Sequence, residues 1–268
     1  MQLFLGFLLA LLIAFLAHKA RSLNQSGAIA AAFTGAIIFG IGGWQWAILL
    51  LTFFITSSAL SRAFKARKAK LEEKFSKGHE RDAGQVFGNG GIATLFAALH
   101  FFYPNEVWVW AAFAASLAAV NADTWATELG VLSPTPPRMI TSGRRVEPGT
   151  SGGVTLYGLA ASLAGAALIG VTMVLLFRIE RGVWVPLLLP AAALSGLAGS
   201  ITDSLIGATI QVMYRSTAGN ETERRTDKAG QMLPQFRGWR WMNNDMVNLI
   251  SSLVGGLIAI GIGALAGR

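Results

Sequence analysis

The stretch VWVWAAFAASLAAVNADTWATELG, residues 107–130, decides the fold. It begins as an uncharged, almost wholly apolar run and then, without a break, carries Asp123 and Glu128. A membrane-crossing helix needs about 20 predominantly apolar residues. Ionisable groups at membrane depth are costly and normally face a cavity, a partner or an ion. The stretch therefore reads as a span whose inner end carries working acids.

The rest of the chain supports that reading. Of its 268 residues, 53% are hydrophobic and 13% charged, against roughly 25% charged in soluble domains. Candidate spans are 2–18, 27–41, 44–60, 89–103, 106–123, 153–177, 183–210 and 244–266. The expected fold is an all-α, polytopic membrane bundle of about eight transmembrane helices, forming one membrane domain over 1–268. No basic residue precedes the first apolar run, so it reads as a span and not as a signal peptide. The chain has no cysteine, which excludes disulfides, thiol catalysis and Cys-ligated zinc. Its three histidines, His18, His79 and His100, show no metal spacing.

The basic residues give an orientation. The segments 18–26, 61–88, 124–151 and 214–242 hold 19 of the 22 Lys and Arg. Arg178, Arg181 and Arg268 lie on the other side. Positive loops stay cytoplasmic, so the long loops are expected inside and both termini outside. The net charge of +8 then reflects topology, not nucleic-acid binding. Segment 61–80 reads as a basic helix continuing the third span.

Five motifs fall on this inner face. In RDAGQVFGNGG, residues 81–91, Gln85 and Asn89 share a helical face, and Gly90 and Gly91 are expected to start span four. A glycine-rich helix start exposes N–H groups suited to phosphate; an ordinary cap and turn is the alternative. In the opening stretch, Asp123 and Thr127 share one face, Thr124 and Glu128 the next. In ITSGRRVEPGTSGGV, residues 140–154, Arg144 and Arg145 suit phosphate contacts. Glu147 is a metal ligand or an arginine clamp, and Gly149, Thr150, Ser151, Gly152 and Gly153 suit an anion cradle. Asp203 lies inside the seventh apolar segment among Ser200, Thr202 and Ser204. Asn244, Asp245 and Asn248 share a face where span eight begins. Carboxylates beside arginines and backbone donors suit Mg²⁺, or Mn²⁺, bound to phosphates. Phosphoryl transfer asks the protein mainly for positioning and charge neutralisation.

RDAGQVFGNGG, ADTWATELG and ITSGRRVEPGTSGGV, in this order, resemble the transmembrane-protein-nineteen family over nearly the whole chain. Its plant chloroplast member is the phytyl-phosphate kinase of vitamin E and phylloquinone synthesis. A remoter similarity reaches the CDP-diacylglycerol synthase and dolichol kinase group. That group has Lys-Lys where this chain has Arg144-Arg145, and two acids where it has NND around Asp245. The resemblance implies a kinase that moves the γ-phosphoryl of CTP, or another NTP, to an isoprenyl monophosphate (phytyl, geranylgeranyl or farnesyl). Asp123, Asp203 and Asp245 would hold the metal, and Arg144 and Arg145 the triphosphate. Gly149–Gly153 and Asn89–Gly91 would shape the phosphate pocket, with Arg81 and Gln85 on the acceptor phosphate. The active-site loops would be 124–152 and 214–243, facing the cytoplasm from a plasma or thylakoid-like membrane. Asp82 and Glu128 are the candidates for any general base. Glycine-faced helices permit a homodimer. Cytidylyl transfer to a lipid phosphate and lipid or ion transport are the alternatives.

Overall fold

The computed structural model describes residues 1–64, 74, 80–216, 219–227 and 229–266. Most of the basic segment 65–79, expected as a helix, lies outside the described residues. Eight helices are described: α1 (Gln2–Lys19), α2 (Gln25–Ile37), α3 (Trp44–Ala63), α4 (Ala83–His100), α5 (Val107–Gly130), α6 (Leu156–Arg181), α7 (Leu188–Thr209) and α8 (Asn244–Ala266). A π turn, Ile38–Gly42, extends α2. Six of the helices are long and apolar enough to cross a membrane. Large apolar side chains such as Phe4, Phe15, Ile29, Ile55, Leu175 and Leu194 face outward. In water that would be a liability; in hydrocarbon it is the expected surface. The protein is an all-α membrane bundle.

The helix α5 runs through the centre and packs against α3, α4, α6, α7 and α8. Every residue from Val109 to Ala122 is buried. Such a helix can be enclosed only if its neighbours come close, and small residues permit this. A Cβ on Gly196 of α7 would lie 2.9 Å from the Ala118 Cβ, and one on Gly255 of α8 2.9 Å from the Ala119 Cβ. Gly199 of α7 faces Ala119 as well, and the Ser251 carbonyl.

One polar residue pins this core. Asn121 is fully buried. Its Nδ2 donates to the Gly165 carbonyl of α6 at 2.8 Å, and its Oδ1 accepts from Thr56 and Ser57 of α3, each at 3.2 Å. Three helices are thereby held in one register.

Several span boundaries differ from expectation. The helix α4 starts at Ala83, capped by an Asp82–Gln85 capping box. Gly90 and Gly91 therefore lie mid-helix, where their N–H groups serve the helical ladder and do not form a helix start. The helix α5 continues to Gly130, so Asp123 stands well inside it. The helix α6 starts at Leu156 with Thr155 as its cap, so Gly149–Gly153 belong to the preceding loop. That loop carries a hairpin, β1 (Arg138–Met139) with β2 (Gly153–Val154). The loop before α8 holds a three-stranded sheet ordered β4-β3-β5, from β3 (Met213–Arg215), β4 (Glu221–Thr222) and β5 (Gln235–Arg237). These short strands carry no sequence periodicity long enough to read.

Asn121→Ala should lower unfolding stability in detergent by about 1–2 kcal/mol, because it strands the Gly165 carbonyl and two hydroxyls in the core. Thermal unfolding checks this; an unchanged midpoint would show that Asn121 does not hold the three helices.

Candidate functional site

The long loops and the adjoining helix ends meet around Asp203 on α7. Asp123 of α5 and Glu223, just after β4, act on Asp203 as neighbouring like charges. The Ser251 hydroxyl of α8 lies within hydrogen-bonding reach of Asp203, and also 3.0 Å from the Asn248 carbonyl. Its single proton is shared between them. The other carboxylate oxygen, Asp203 Oδ2, is buried and accepts no hydrogen bond among the described residues. A buried, undonated carboxylate oxygen beside further acids is costly unless something neutralises it.

A chain of hydrogen bonds joins this acid group to the glycine loop. Ser151 Oγ donates to Gln211 Oε1 at 2.7 Å, and Gln211 Nε2 donates to Glu223 Oε1 at 3.0 Å. The loop seats closely on α7. Gly152 has φ +81°, and a Cβ there would fall 2.5 Å from the Ala208 Cβ. A Cβ on Gly207 would fall 2.7 Å from Ser151 Oγ and 3.2 Å from the Gly152 nitrogen. Glycine at both positions lets backbone approach backbone. The sheet is tied in by Arg237, which donates to Glu221 Oε1 at 2.6 Å and to the Gly207 carbonyl at 2.9 Å. Lys74 adds a strap. Its Nζ donates to Glu147 Oε2 at 2.8 Å and to the Pro148 carbonyl at 3.0 Å, while its carbonyl accepts the Glu223 N–H at 2.9 Å.

The other expected residues divide. Thr150 and Gly153 spend their N–H groups inside the turn, on the Glu147 and Thr150 carbonyls. Gly149, at φ +78°, makes the same turn. Glu147 is exposed, and the Lys74 hydrogen bond and charge hold its carboxyl below the ordinary glutamate range. This contact is present above that range and is lost as pH falls through the lowered value. Arg144 and Arg145 are exposed on the hairpin, without a hydrogen bond to a described side chain. Asp245 begins α8 where α8 crosses α4: a Cβ on Gly88 would meet the Asp245 carbonyl at 2.8 Å. The cap of α8 is Asn243, whose Oδ1 accepts the Met246 N–H at 3.0 Å. Asn244 follows it, and Asn248 is buried a turn later.

Arg81, Gln85 and Asn89 lie on the other side of α4. Gln85 Oε1 accepts the Asp82 N–H at 3.2 Å, so half its amide serves the cap. Arg81 packs its guanidinium over Phe53 and Phe54 and donates to Ser58 at 3.3 Å. Burial pushes its pKa down to about 10, opposed by the nearby Glu128. It stays charged at neutral pH. Glu128 accepts from Ser61 at 2.7 Å.

The oxygen-only donor set fits Mg²⁺ or Mn²⁺. No three His, Asp or Glu side chains among the described residues converge enough to enclose an ion. The expected trio of Asp123, Asp203 and Asp245 is therefore not a closed cage, because Asp245 sits where α8 crosses α4. One or two carboxylates completed by phosphate oxygens and water is the usual magnesium arrangement, and Asp203 with Asp123 matches it. Glu223 and Gln211 were missed from the sequence. Glu223 hides in the charged run NETERRTDK, which reads as topogenic loop.

These features define a membrane protein with a buried acid group enclosed by its loops. The chain belongs to the family described as integral membrane protein DUF92, whose model matches residues 8–256. It is 34% identical to Protein PGR of Arabidopsis thaliana, over 94% of this chain and 93% of that one. It is also 34% identical to an uncharacterized membrane protein of Methanocaldococcus jannaschii, over 97% and 93%. Protein VTE6, chloroplastic, of Arabidopsis thaliana is 24% identical over 89% of this chain and 64% of its own. No solved structure matches the chain.

Asp203→Asn should raise the unfolding midpoint in chelator by about 2–4 °C, since it removes one of several crowded like charges. If Mg²⁺ binds there, the same change should abolish the stabilisation that millimolar Mg²⁺ would give the unaltered protein. Differential scanning fluorimetry with and without Mg²⁺ checks both; an unaltered protein indifferent to Mg²⁺ and Mn²⁺ would remove the metal from the site.

Proposed function

We propose that the protein is a membrane kinase. It transfers the γ-phosphoryl group of a nucleoside triphosphate, CTP first among them, to an isoprenyl monophosphate. The supporting observation is the undonated Asp203 oxygen beside Asp123 and Glu223, with Glu223 accepting from Gln211, which in turn accepts from Ser151 of the glycine loop. Side chains of α5, the glycine loop, α7, the sheet-bearing loop and α8 come together around it, while the 81–91 motif lies on the other side of α4. The motif resemblance to the transmembrane-protein-nineteen family, with its phytyl-phosphate kinase, points the same way.

In this reading Asp203 and Asp123 hold the metal, which neutralises charge on the triphosphate. Ser151 and Gly152 border the phosphates, and Arg144 and Arg145 reach them from the exposed hairpin. Asp245 and Asn248 border the site from α8. An acceptor phosphate oxygen forms a bond to the γ-phosphorus as the bond to the β–γ bridging oxygen breaks. The products are an isoprenyl diphosphate and a nucleoside diphosphate. The acceptor is already an anion at neutral pH, so no strong base is required.

The test is purified protein in detergent with Mg²⁺, each NTP in turn and a panel of isoprenyl monophosphates, with products identified by mass. Lipid diphosphate with nucleoside diphosphate is expected. A CDP-lipid with pyrophosphate would replace the kinase by a cytidylyltransferase. Asp123→Asn should lower kcat by roughly 100-fold or more, and Arg144→Ala should raise the nucleotide KM by roughly tenfold. Full turnover by Asp123→Asn would take that residue out of the site.

A further inference from the structure

A second feature lies away from the acid group, among α1, α2, α3 and α4. It is a cavity with an enclosed volume of about 80 Å³ that opens outward between the helices. Its walls are apolar, with Ala10, Ala14, Phe39 and Leu50 representative of them. One wall residue, Thr34, satisfies its hydroxyl on the Ala30 carbonyl at 3.0 Å. A Cβ on Gly90 would meet nothing within 4 Å, so α4 opens onto empty space there.

The polar lining is one-sided in chemistry. Arg81, Gln85 and Asn89 follow one another along the same wall. Arg81 offers a guanidinium whose one hydrogen bond among the described side chains goes to Ser58. Gln85 has its oxygen occupied by the Asp82 N–H, which leaves its amide donors. Asn89 can donate too. The wall thus presents amide groups and the Arg81 guanidinium, whose charge Glu128 of α5 partly offsets. These donors suit the oxygens of an anionic head. Below it the walls offer hydrocarbon alone.

We infer that this cavity receives the single hydrocarbon chain of the acceptor lipid phosphate, with its anionic head at Arg81 and Asn89. The inference deepens the kinase reading and rests on it for the name of the lipid. The wall α4 is shared: Asn89 and Gly90 face the cavity, while Gly88 and Gly91 face Asp245 and Leu249 of α8. A chain seated on this side of α4 has its head at Arg81, which Glu128, five residues beyond Asp123 on α5, faces as a neighbouring charge. Arg81 distinguishes phosphate from alcohol, and the chamber distinguishes one chain from two.

The test is photolabelling of the full chain in detergent, without nucleotide or metal. The probe is a hexadecyl phosphate carrying a diazirine in its chain, and labelled peptides are read by mass spectrometry. Labelling should fall on α1, α3 and α4. Unlabelled hexadecyl phosphate should compete roughly tenfold or more better than hexadecanol, and Arg81→Gln should erase that preference. Gly90→Leu should fold normally, because its side chain enters empty space, and should lose the label. Labelling centred on α6–α8, or spread evenly over lipid-facing surfaces, overturns the inference. So does a diacyl phosphatidic acid that competes as well as the single chain, or a folded Gly90→Leu that keeps full labelling. Turnover to a diphosphate is measured separately. Chamber labelling without turnover leaves the cavity assignment standing and removes the kinase; turnover with labelling elsewhere does the reverse.

Discussion

The structure depends on how closely α7 and α8 approach α5. Lipid supplies no hydrophobic force between helices, so association rests on packing and interhelical hydrogen bonds. Gly196, Gly199 and Gly255 bring backbones against Ala118 and Ala119. Asn121 then adds three polar contacts from the buried face of α5 to α3 and α6. A side chain at any of these glycines would have to displace neighbouring backbone or Cβ atoms. The consequence reaches the inner end of the helices. With α5 and α7 locked together over several turns, Asp123 and Asp203 are held in proximity that their like charges oppose.

That opposition makes the site chemically specific. Electrostatic repulsion in a poorly solvated place is strong, and it is relieved by a cation, a bound group or a proton on one carboxyl. Ser151, Gln211 and Glu223 form a relay of hydrogen bonds that sets the height of the glycine loop over the acids. Gly152 and Gly207 allow that loop to lie almost on the helix. The loop is therefore packed as part of the bundle.

The helix α4 separates two environments. Its Gly88 and Gly91 side meets α8, and its Asn89 and Gly90 side meets the apolar cavity. Glycines that looked like a phosphate-binding helix start serve instead as close-packing and open-space positions within the helix. The Asp82–Gln85 capping box accounts for the shift, because it starts α4 earlier.

Hydropathy alone determined the membrane bundle, the number of helices and the grouping of acids, arginines and glycines near the long loops, because burial in lipid imposes runs of apolar residues that are legible one residue at a time. Asp123 and Asp203 stood out for the same reason, as charges that such runs do not tolerate without cause. Tertiary structure decided what lay next to what. Glu223 became a neighbour of Asp203, Gln211 became a link, and Gly90 became a wall of a cavity, although none of these roles has a local signature. Arg144 and Arg145 stand exposed on the hairpin, a placement that the motif and the family resemblance, which assign them to the triphosphate, did not indicate. Proximity between residues far apart in the chain is fixed by which helix faces can approach, and approach is set by side-chain volume on two helices at once, which no single stretch of sequence records.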